Sequence, residues 1–576
     1  MSDGEAAGAV QAAFAATLVD EWARAGVGHA VVSPGSRSAP LALALAAEPR
    51  LRLHVHLDER SAGFMALGIG KATGVPAVVL TTSGTAAVEL HPAVVEAAQS
   101  RVPLLACTAN RPAELHGIGA PQTVDQTHLF GRAVRWFCQP GVATATTATT
   151  WRSLAARTVA EAMGSPPGPV HLDLAFCDPL VARPGALPPG RAGGGGWHQL
   201  PRWSSSPEPA ELAEVEAVVD GQTGVIVAGA GSGAPGAVHA LAAVLGWPVL
   251  ADPPSGCRDP APATVAAFDA VLRHPRFADE HRPAVVLRLG EPPASKVLAE
   301  WLARSGARQV VIERHGTWLD PARTAAMVVA GDPSAWCAAL AGRAGPGEAG
   351  VGWAASWAAA EAVAQEAIEV VVARRGGLTE PGVARTTAAA LPAGTTLVVA
   401  SSMPVRDLEW YAAPRHGLRV LANRGANGID GMVSTTAGVA LASGGPTALL
   451  VGDLAFLHDA NGLLGLAERA VDLTIVVVDN AGGGIFSFLP AAELLAPERF
   501  ELLFGTPQRA DLAALAAAHG VAASAVRDLA ELGAALEEPQ PAGGTRALIA
   551  TTDRHENVAV HDEVHAEVAT ALDRQR

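Results

Sequence analysis

Short uninterrupted runs of Val, Leu, Ile and Ala recur along the chain, separated by helix-length stretches rich in Ala and Leu. HAVVS, AVVLTTS and VPLLACT come first, then TGVIVAG, WPVLADP and AVVLRLG, then TLVVASS, TALLVGD and LTIVVVD. A strand with one wet face alternates apolar and polar residues, so runs without alternation are strands buried on both faces. The pattern predicts parallel sheets covered by helices, the doubly wound α/β class. Two segments dense in Pro and Gly, residues 182–196 and 341–352, divide the chain into blocks 1–181, 197–340 and 353–576. Each block carries its own runs and predicts its own α/β domain. A chain of 576 residues is long enough for about three such domains. In these sheets ligands bind beyond the carboxyl ends of the strands, so the residues just after each run are the candidates for chemistry.

Lys+Arg total 41 against 56 Asp+Glu, a net charge of −15, which argues against nucleic acid or an anionic membrane as the main partner. Small anions bound by a few clustered arginines remain compatible with that balance. The acidic N-terminal stretch does not read as a secretion signal, and no apolar run reaches membrane-spanning length. Cys107, Cys138, Cys177, Cys257 and Cys337 are scattered and form no CxxC pair, which fits reduced thiols. The expectation is a cytoplasmic protein without a membrane span.

In the third block TALLV ends in Gly452-Asp453, and LTIVVV ends in Asp479-Asn480-Ala481-Gly482-Gly483. Alone, Asp453 reads as a helix cap. An Asp and an Asn at the tips of two strands, beside a glycine turn with a free carbonyl, instead bring hard oxygen donors to one point. That set suits Mg²⁺, which completes its octahedron with phosphate and water, and accepts Mn²⁺ equally. Four arginines, Arg37, Arg111, Arg406 and Arg424, lie in polar turns after strand-like runs. Guanidinium grips carboxylate through two parallel hydrogen bonds, so such a group implies substrates carrying several carboxylates.

The Gly-Asp motif followed by Asn resembles that of the thiamine diphosphate (ThDP) enzymes, although this chain reads Gly-Asp-Leu and Asp-Asn where many members have Gly-Asp-Gly and Asn-Asn. The resemblance implies three doubly wound parallel-sheet domains of the decarboxylase/carboligase type: an aminopyrimidine-binding domain, a central Rossmann-like domain and a diphosphate-binding domain. It implies that Asp453, Asn480 and the Gly482 carbonyl hold the metal, with Gly452 beside the diphosphate. Glu59, in HVHLDERSAGFMALG, would be the catalytic glutamate that bonds an aminopyrimidine ring nitrogen and promotes the imino form. Ser83 and Gly84, in TTSGTA, would lie against the cofactor, and Ile429 would wedge it into a bent shape. Members share each site between two chains, which implies a homodimer or homotetramer with Glu59 of one subunit facing Asp453 of another.

The stretches SPGSRSAPLALA, DERSAGFMALG, TANRP, SSMPVRDL, NRGANGIDG and GGGIFSFLP resemble the carboligases of menaquinone biosynthesis within that family. This implies decarboxylation of 2-oxoglutarate and addition of the succinyl carbanion equivalent to isochorismate. Arg37, Arg111, Gln122, Ser402, Arg406 and Arg424 would bind substrate carboxylates or hydroxyls. Lys296 would reach in from the middle domain, while Lys71, the other lysine of the chain, reads as ordinary helix surface. Ile485, Phe486 and Leu489 would wall the isochorismate ring. Pro121-Gln122 stands where those enzymes usually read Asn-Gln, which touches one substrate hydrogen bond.

Other readings compete. Another ThDP-dependent 2-oxo acid decarboxylase or carboligase needs fewer arginine clamps if its substrates are monocarboxylates. Gly229, Gly231 and Gly233 with Asp252 form a partial dinucleotide fingerprint with its third glycine displaced. His561 and His565 have the i, i+4 spacing of a metal pair but lack a third ligand, so a solvated terminal helix is expected.

Overall fold

Each of the three blocks builds a six-stranded sheet, and every strand pairing within them is parallel. The computed structural model describes residues 3–198, 206–344, 350–539 and 543–575. The first sheet contains β1 (His29–Val32), β2 (Arg52–Val55), β3 (Ala77–Thr81), β4 (Leu104–Asn110), β5 (Trp136–Cys138) and β6 (Pro169–Ala175). The second contains β7 (Gly224–Ala228), β8 (Val249–Ala251), β9 (Thr264–Val265), β10 (Val285–Leu289), β11 (Arg308–Glu313) and β12 (Ala325–Ala330). The third contains β13 (Thr395–Val399), β14 (Leu418–Ala422), β15 (Thr447–Gly452), β16 (Leu473–Asp479), β17 (Ala522–Val526) and β18 (Thr545–Thr551).

The spatial order is β2-β1-β3-β4-β6-β5 in the first sheet and β14-β13-β15-β16-β18-β17 in the third. Counted from its own first strand, each reads 2-1-3-4-6-5, so the outer domains are topological copies of one another. The middle sheet, β12-β11-β10-β7-β8-β9, has the order of a dinucleotide-binding fold. Strand order reverses between β1 and β3, and again between β13 and β15. At such points the connections leave on opposite faces and open a crevice beyond the carboxyl ends.

Two glycine-containing helices join the outer domains. Helix Glu59–Thr73 packs on helix Met432–Ser443, and a Cβ added at Gly68 would lie 2.0 Å from the Thr435 carbonyl oxygen. A Cβ at Gly438 would lie 2.0 Å from the Met65 carbonyl oxygen, so the helices touch backbone to backbone from both sides. Around that crossing Phe64, Leu67 and Ile69 share one core with Met432, Val433 and Val439, and it continues into both sheets through Val79 and Val477. At about 1.5–3 kcal/mol for each large apolar side chain buried, this seam is a principal source of order between the two domains.

The segment 182–196 is laid along the first domain. Gly185 N–H donates to the Ala9 carbonyl at 3.2 Å, and Arg152 Nε donates to the Pro188 carbonyl at 3.0 Å. Of the segment 341–352, residues 345–349 lie outside the described residues. Beyond it, helix Gly350–Arg375 contributes Trp357, Ile368 and Val371 to a core shared with Val225 and Val286 of the middle sheet and Val564 and Val568 of the last helix. Among the described residues no helix is long and apolar enough to cross a membrane.

Candidate active site

Beyond the reversal in the third sheet lies a cavity of about 450 Å³. Ser401 and Ser402 follow β13, Gly452 and Asp453 close β15, and Asn480 and Gly482 follow β16; all six line it, with Arg406, Arg424, Ile429, Ile485 and Phe486. Apolar strand interiors place these tips, and the polar residues begin where the strands leave the core. Ser402 adopts φ 73°, a left-handed conformation that a side chain rarely takes, at the start of helix Met403–Tyr411. Its carbonyl accepts from Arg406 Nη1 at 2.5 Å, which fixes the arginine on the cavity wall. Burial, with Arg424 nearby, holds the Arg406 guanidinium below its usual range. A cation under that penalty favours an anionic ligand.

The side-chain oxygens of Asp453 and Asn480 meet at the Gly482 backbone N–H. Gly482 N–H donates to Asp453 Oδ2 at 2.7 Å and to Asn480 Oδ1 at 3.1 Å, while Leu454 N–H donates to Asp453 Oδ1 at 2.7 Å. Burial pushes the Asp453 carboxyl up to about 6. Two side-chain oxygens gathered on one glycine turn, one from a carboxylate that is costly to ionise alone, fit a hard divalent cation. A divalent cation held there would need ionised Asp453, so its affinity is expected to fall as pH drops through about 6, with proton release on binding below that pH. Titration calorimetry with Mg²⁺ and ThDP at pH 5.5 and 7.5, in buffers of different ionisation enthalpy, checks both the trend and the proton.

The first domain gathers a second group at the ends of its strands. Ser83 Oγ donates to the Gln122 carbonyl at 3.0 Å, and Gly84 N–H donates to Gln126 Oε1 at 3.0 Å. Arg37 Nη1 donates to the Phe176 carbonyl at 2.9 Å. Among the described residues Arg37 Nε and Arg111 Nη1 are buried without an acceptor, and burial, with Arg37 beside it, lowers Arg111. Asp178 Oδ2 lies 3.8 Å from Arg37 Nη1, and two guanidiniums with unspent donors beside a single exposed carboxylate fit a further anionic ligand.

Glu59 begins helix Glu59–Thr73, behind Asp58, whose side chain accepts from Ser61 N–H at 2.9 Å. The third domain braces this helix start: Asn461 Nδ2 donates to Asp58 Oδ2 at 2.7 Å, and Arg60 Nη2 donates to the His458 carbonyl at 2.8 Å. Neither Glu59 nor Arg37, Ser83, Gly84, Arg111 and Gln122 line the cavity that holds Asp453; its lining runs from Glu380 to Phe486. Within one chain the two groups therefore do not share this cavity.

Several expectations need correction. Lys296 does not reach inward: Ser295 caps the helix by accepting from Leu298 N–H, and Lys296 follows with its side chain 87% exposed, 3.5 Å from Glu300. Lys71, expected on the surface, is largely enclosed and donates to the Ala422 carbonyl at 2.7 Å and to Ser100 Oγ at 3.4 Å, with Glu96 at 3.9 Å. Leu489 is 46% exposed and outside the cavity lining, because the short helix Gly484–Phe488 ends just before it. The terminal helix is packed rather than solvated. His561 Nδ1 lies 2.8 Å from the Tyr411 hydroxyl and its Nε2 3.1 Å from Asp407 Oδ1, while His565 Nε2 lies 3.1 Å from the same hydroxyl. The glycine turn after β7 serves packing: the Glu291 carbonyl oxygen stands 1.6 Å from where a Gly229 Cβ would be.

Two lining acids escaped the sequence reading, Glu380 and Asp407. Burial, reinforced by Asp407 and Asp453, pushes Glu380 up to about 8, and burial also raises Asp407, partly offset by His561. LTEP, around Glu380, follows no strand and carries no motif.

Residues 12–129 match the N-terminal TPP binding domain of thiamine pyrophosphate enzymes, 197–399 the middle domain of thiamine pyrophosphate enzymes, and 403–550 the C-terminal TPP binding domain. The 2-succinyl-5-enolpyruvyl-6-hydroxy-3-cyclohexene-1-carboxylate synthase of Myxococcus xanthus is 44% identical over 579 residues, covering 97% of each chain. That of Thermobifida fusca is 44% identical over 583 residues, covering 97% of this chain and 99% of its own. Among solved structures, the thiamine diphosphate-dependent 4-hydroxybenzoylformate decarboxylase of Rhodococcus jostii RHA1 aligns with a TM-score of 0.73 at 17% identity, covering 94% of this chain and 99% of that one. At that identity the likeness concerns the fold.

Proposed function

The chain belongs to the 2-succinyl-5-enolpyruvyl-6-hydroxy-3-cyclohexene-1-carboxylate synthases, within the thiamine pyrophosphate enzymes, and from that membership we propose the reaction it catalyses. It is a ThDP-dependent transferase that decarboxylates 2-oxoglutarate and joins the remaining four-carbon unit to isochorismate, a step of menaquinone biosynthesis. The observation that carries this reading is the placement of Arg406 and Arg424 in the same cavity as the oxygen donors of Asp453 and Asn480. Cation and metal chemistry together suit a diphosphate cofactor and dicarboxylate substrates.

Bound ThDP supplies the electron sink for decarboxylation. Asp453, Asn480 and the Gly482 carbonyl would hold Mg²⁺ or Mn²⁺ against its diphosphate, Gly452, Ser83 and Gly84 would lie against it, and Ile429 would support its bend. Glu59 would hold a proton between its carboxyl group and a ring nitrogen of the aminopyrimidine. Arg37, Arg111, Arg406 and Arg424, with Ser402 and Gln122, would fix the substrate carboxylates and hydroxyls, contributing mainly through orientation. Ile485 and Phe486 give the cavity an apolar wall that keeps water from the reacting carbon.

A complete site takes its two halves from two subunits, in a homodimer or homotetramer. The separation of the Glu59 and Asp453 half-sites supports this, as do apolar side chains left in solvent by the single chain. Leu57, two residues before Glu59, is 76% exposed, and Leu494 and Leu502, beyond the Ile485–Phe486 wall, are 80% and 74% exposed. Five free cysteines fit a cytoplasmic setting.

Ultraviolet absorbance follows isochorismate directly. Purified protein with ThDP, Mg²⁺ and 2-oxoglutarate is expected to consume it, with loss of consumption when any one component is omitted. Bound ThDP without isochorismate consumption would move the function to another 2-oxo acid carboligase.

A further inference from the structure

An asparagine amide presents oxygen on one side and an NH₂ group on the other, and only the oxygen ligates a cation. What decides which side of Asn480 faces the metal position is its hydrogen-bond surroundings. Asn480 Nδ2 donates to Glu380 Oε1 at 2.8 Å, and Asn480 Oδ1 accepts from Gly482 N–H at 3.1 Å. A flipped amide would set its NH₂ group against the Gly482 N–H, losing that bond, and its oxygen against Glu380, where an ionised carboxylate repels it and only a protonated carboxyl can donate to it.

Glu380 is held for this contact. It is buried at 3% exposure as the first residue of helix Glu380–Ala390, which Thr379 caps by accepting from Gly382 N–H at 3.2 Å. Gly484 leaves the space: a Cβ there would stand 2.6 Å from Asn480 Nδ2 and 3.6 Å from Glu380 Oε1. The two partners are 100 residues apart in sequence and meet only through the fold.

We propose that Glu380 is a positioning residue of the metal site, which fixes the Asn480 amide with its oxygen toward the cation. The proposal rests on the reading of Asp453, Asn480 and Gly482 as metal donors. Outer partners of this kind typically change metal affinity by about 10–100-fold when removed.

The test uses Mn²⁺, whose free fraction is read by electron paramagnetic resonance, titrated into the full chain with saturating ThDP. Glu380→Ala is expected to weaken Mn²⁺ binding by about 10–100-fold. Glu380→Gln, whose carbonyl still accepts from Asn480 Nδ2, is expected to stay within about threefold of the parent protein. The thermal unfolding temperature without metal is expected to fall for Glu380→Ala by no more than one lost buried hydrogen bond allows, and a metal affinity lost in a chain that remains folded separates positioning from a merely structural role. Equal Mn²⁺ affinity in the parent protein and Glu380→Ala would overturn the proposal while leaving the metal site intact. Equal weakening in Glu380→Ala and Glu380→Gln would overturn it too. A parent protein that binds no Mn²⁺ would remove the metal reading and the proposal with it.

Discussion

Glu59→Gln is expected to lower turnover by about two to four orders of magnitude while ThDP and Mg²⁺ still bind. Glutamine keeps the length of the side chain and a hydrogen bond to the ring, but it cannot take up the proton. The effect should fall on kcat, because the arginines, the metal donors and the apolar wall are all untouched. Asp58, Asn461, Arg60 and His458 hold the start of this helix, so the substitution has little structural consequence. Steady-state kinetics and a ThDP titration by intrinsic fluorescence check the two halves. Full turnover with bound cofactor would remove Glu59 from the chemistry.

The largest stability effect is expected at Gly68. Its position on helix Glu59–Thr73 lets the Thr435 carbonyl come to 2.0 Å of where a Cβ would stand, and the obstacle is backbone. Gly68→Val therefore forces the two helices apart and opens the core around Phe64, Leu67 and Met432. Overpacking alone costs about 1–3 kcal/mol, and the lost burial brings the expected total to about 4 kcal/mol or more. Gly236→Ala is the control: it sits in helix Pro235–Leu245 with nothing within 4 Å of an added Cβ. It should be neutral or stabilising by about 1 kcal/mol, the helix preference of Ala over Gly. Urea unfolding of the three proteins gives both differences.

The apolar runs made the sheet interiors legible. HAVVS, AVVLTTS and VPLLACT became β1, β3 and β4, and TLVVASS, TALLVGD and LTIVVVD became β13, β15 and β16. What escaped has physical reasons. β2 and β17 lie at or near sheet edges and expose part of their length, so they carry no continuous apolar run. β6 is buried throughout, yet His171 and Asp173 interrupt its hydrophobicity because both are bonded inside the domain, His171 to Thr108 and Asp173 to Asn110. The shared order of the outer sheets leaves no readable sequence repeat, since topology constrains only where strands fall.

The sequence pattern placed residues at strand ends correctly: Asp453, Asn480, Ser402 and Arg406 line one cavity beyond the third sheet. Sequence reasoning failed where a residue's role depends on distant partners. Lys71 looks like any helix lysine until Ala422 and Ser100 close over it, and Glu380 has no signature apart from Asn480. Lys296 differs in the opposite sense: in the single chain it follows the Ser295 cap with its side chain in solvent.

The shared site is tested most directly by mixing two variants that are each inactive, Glu59→Gln and Asp453→Ala. A mixed dimer would unite the intact Glu59 of one chain with the intact Asp453 of the other at one of its two sites. Random pairing then restores about a quarter of the parent activity in isochorismate consumption. Recovery near that level would establish sites built across two subunits. Demonstrated mixed dimers without any recovered activity would contradict it, because both essential groups would then have to come from the same chain.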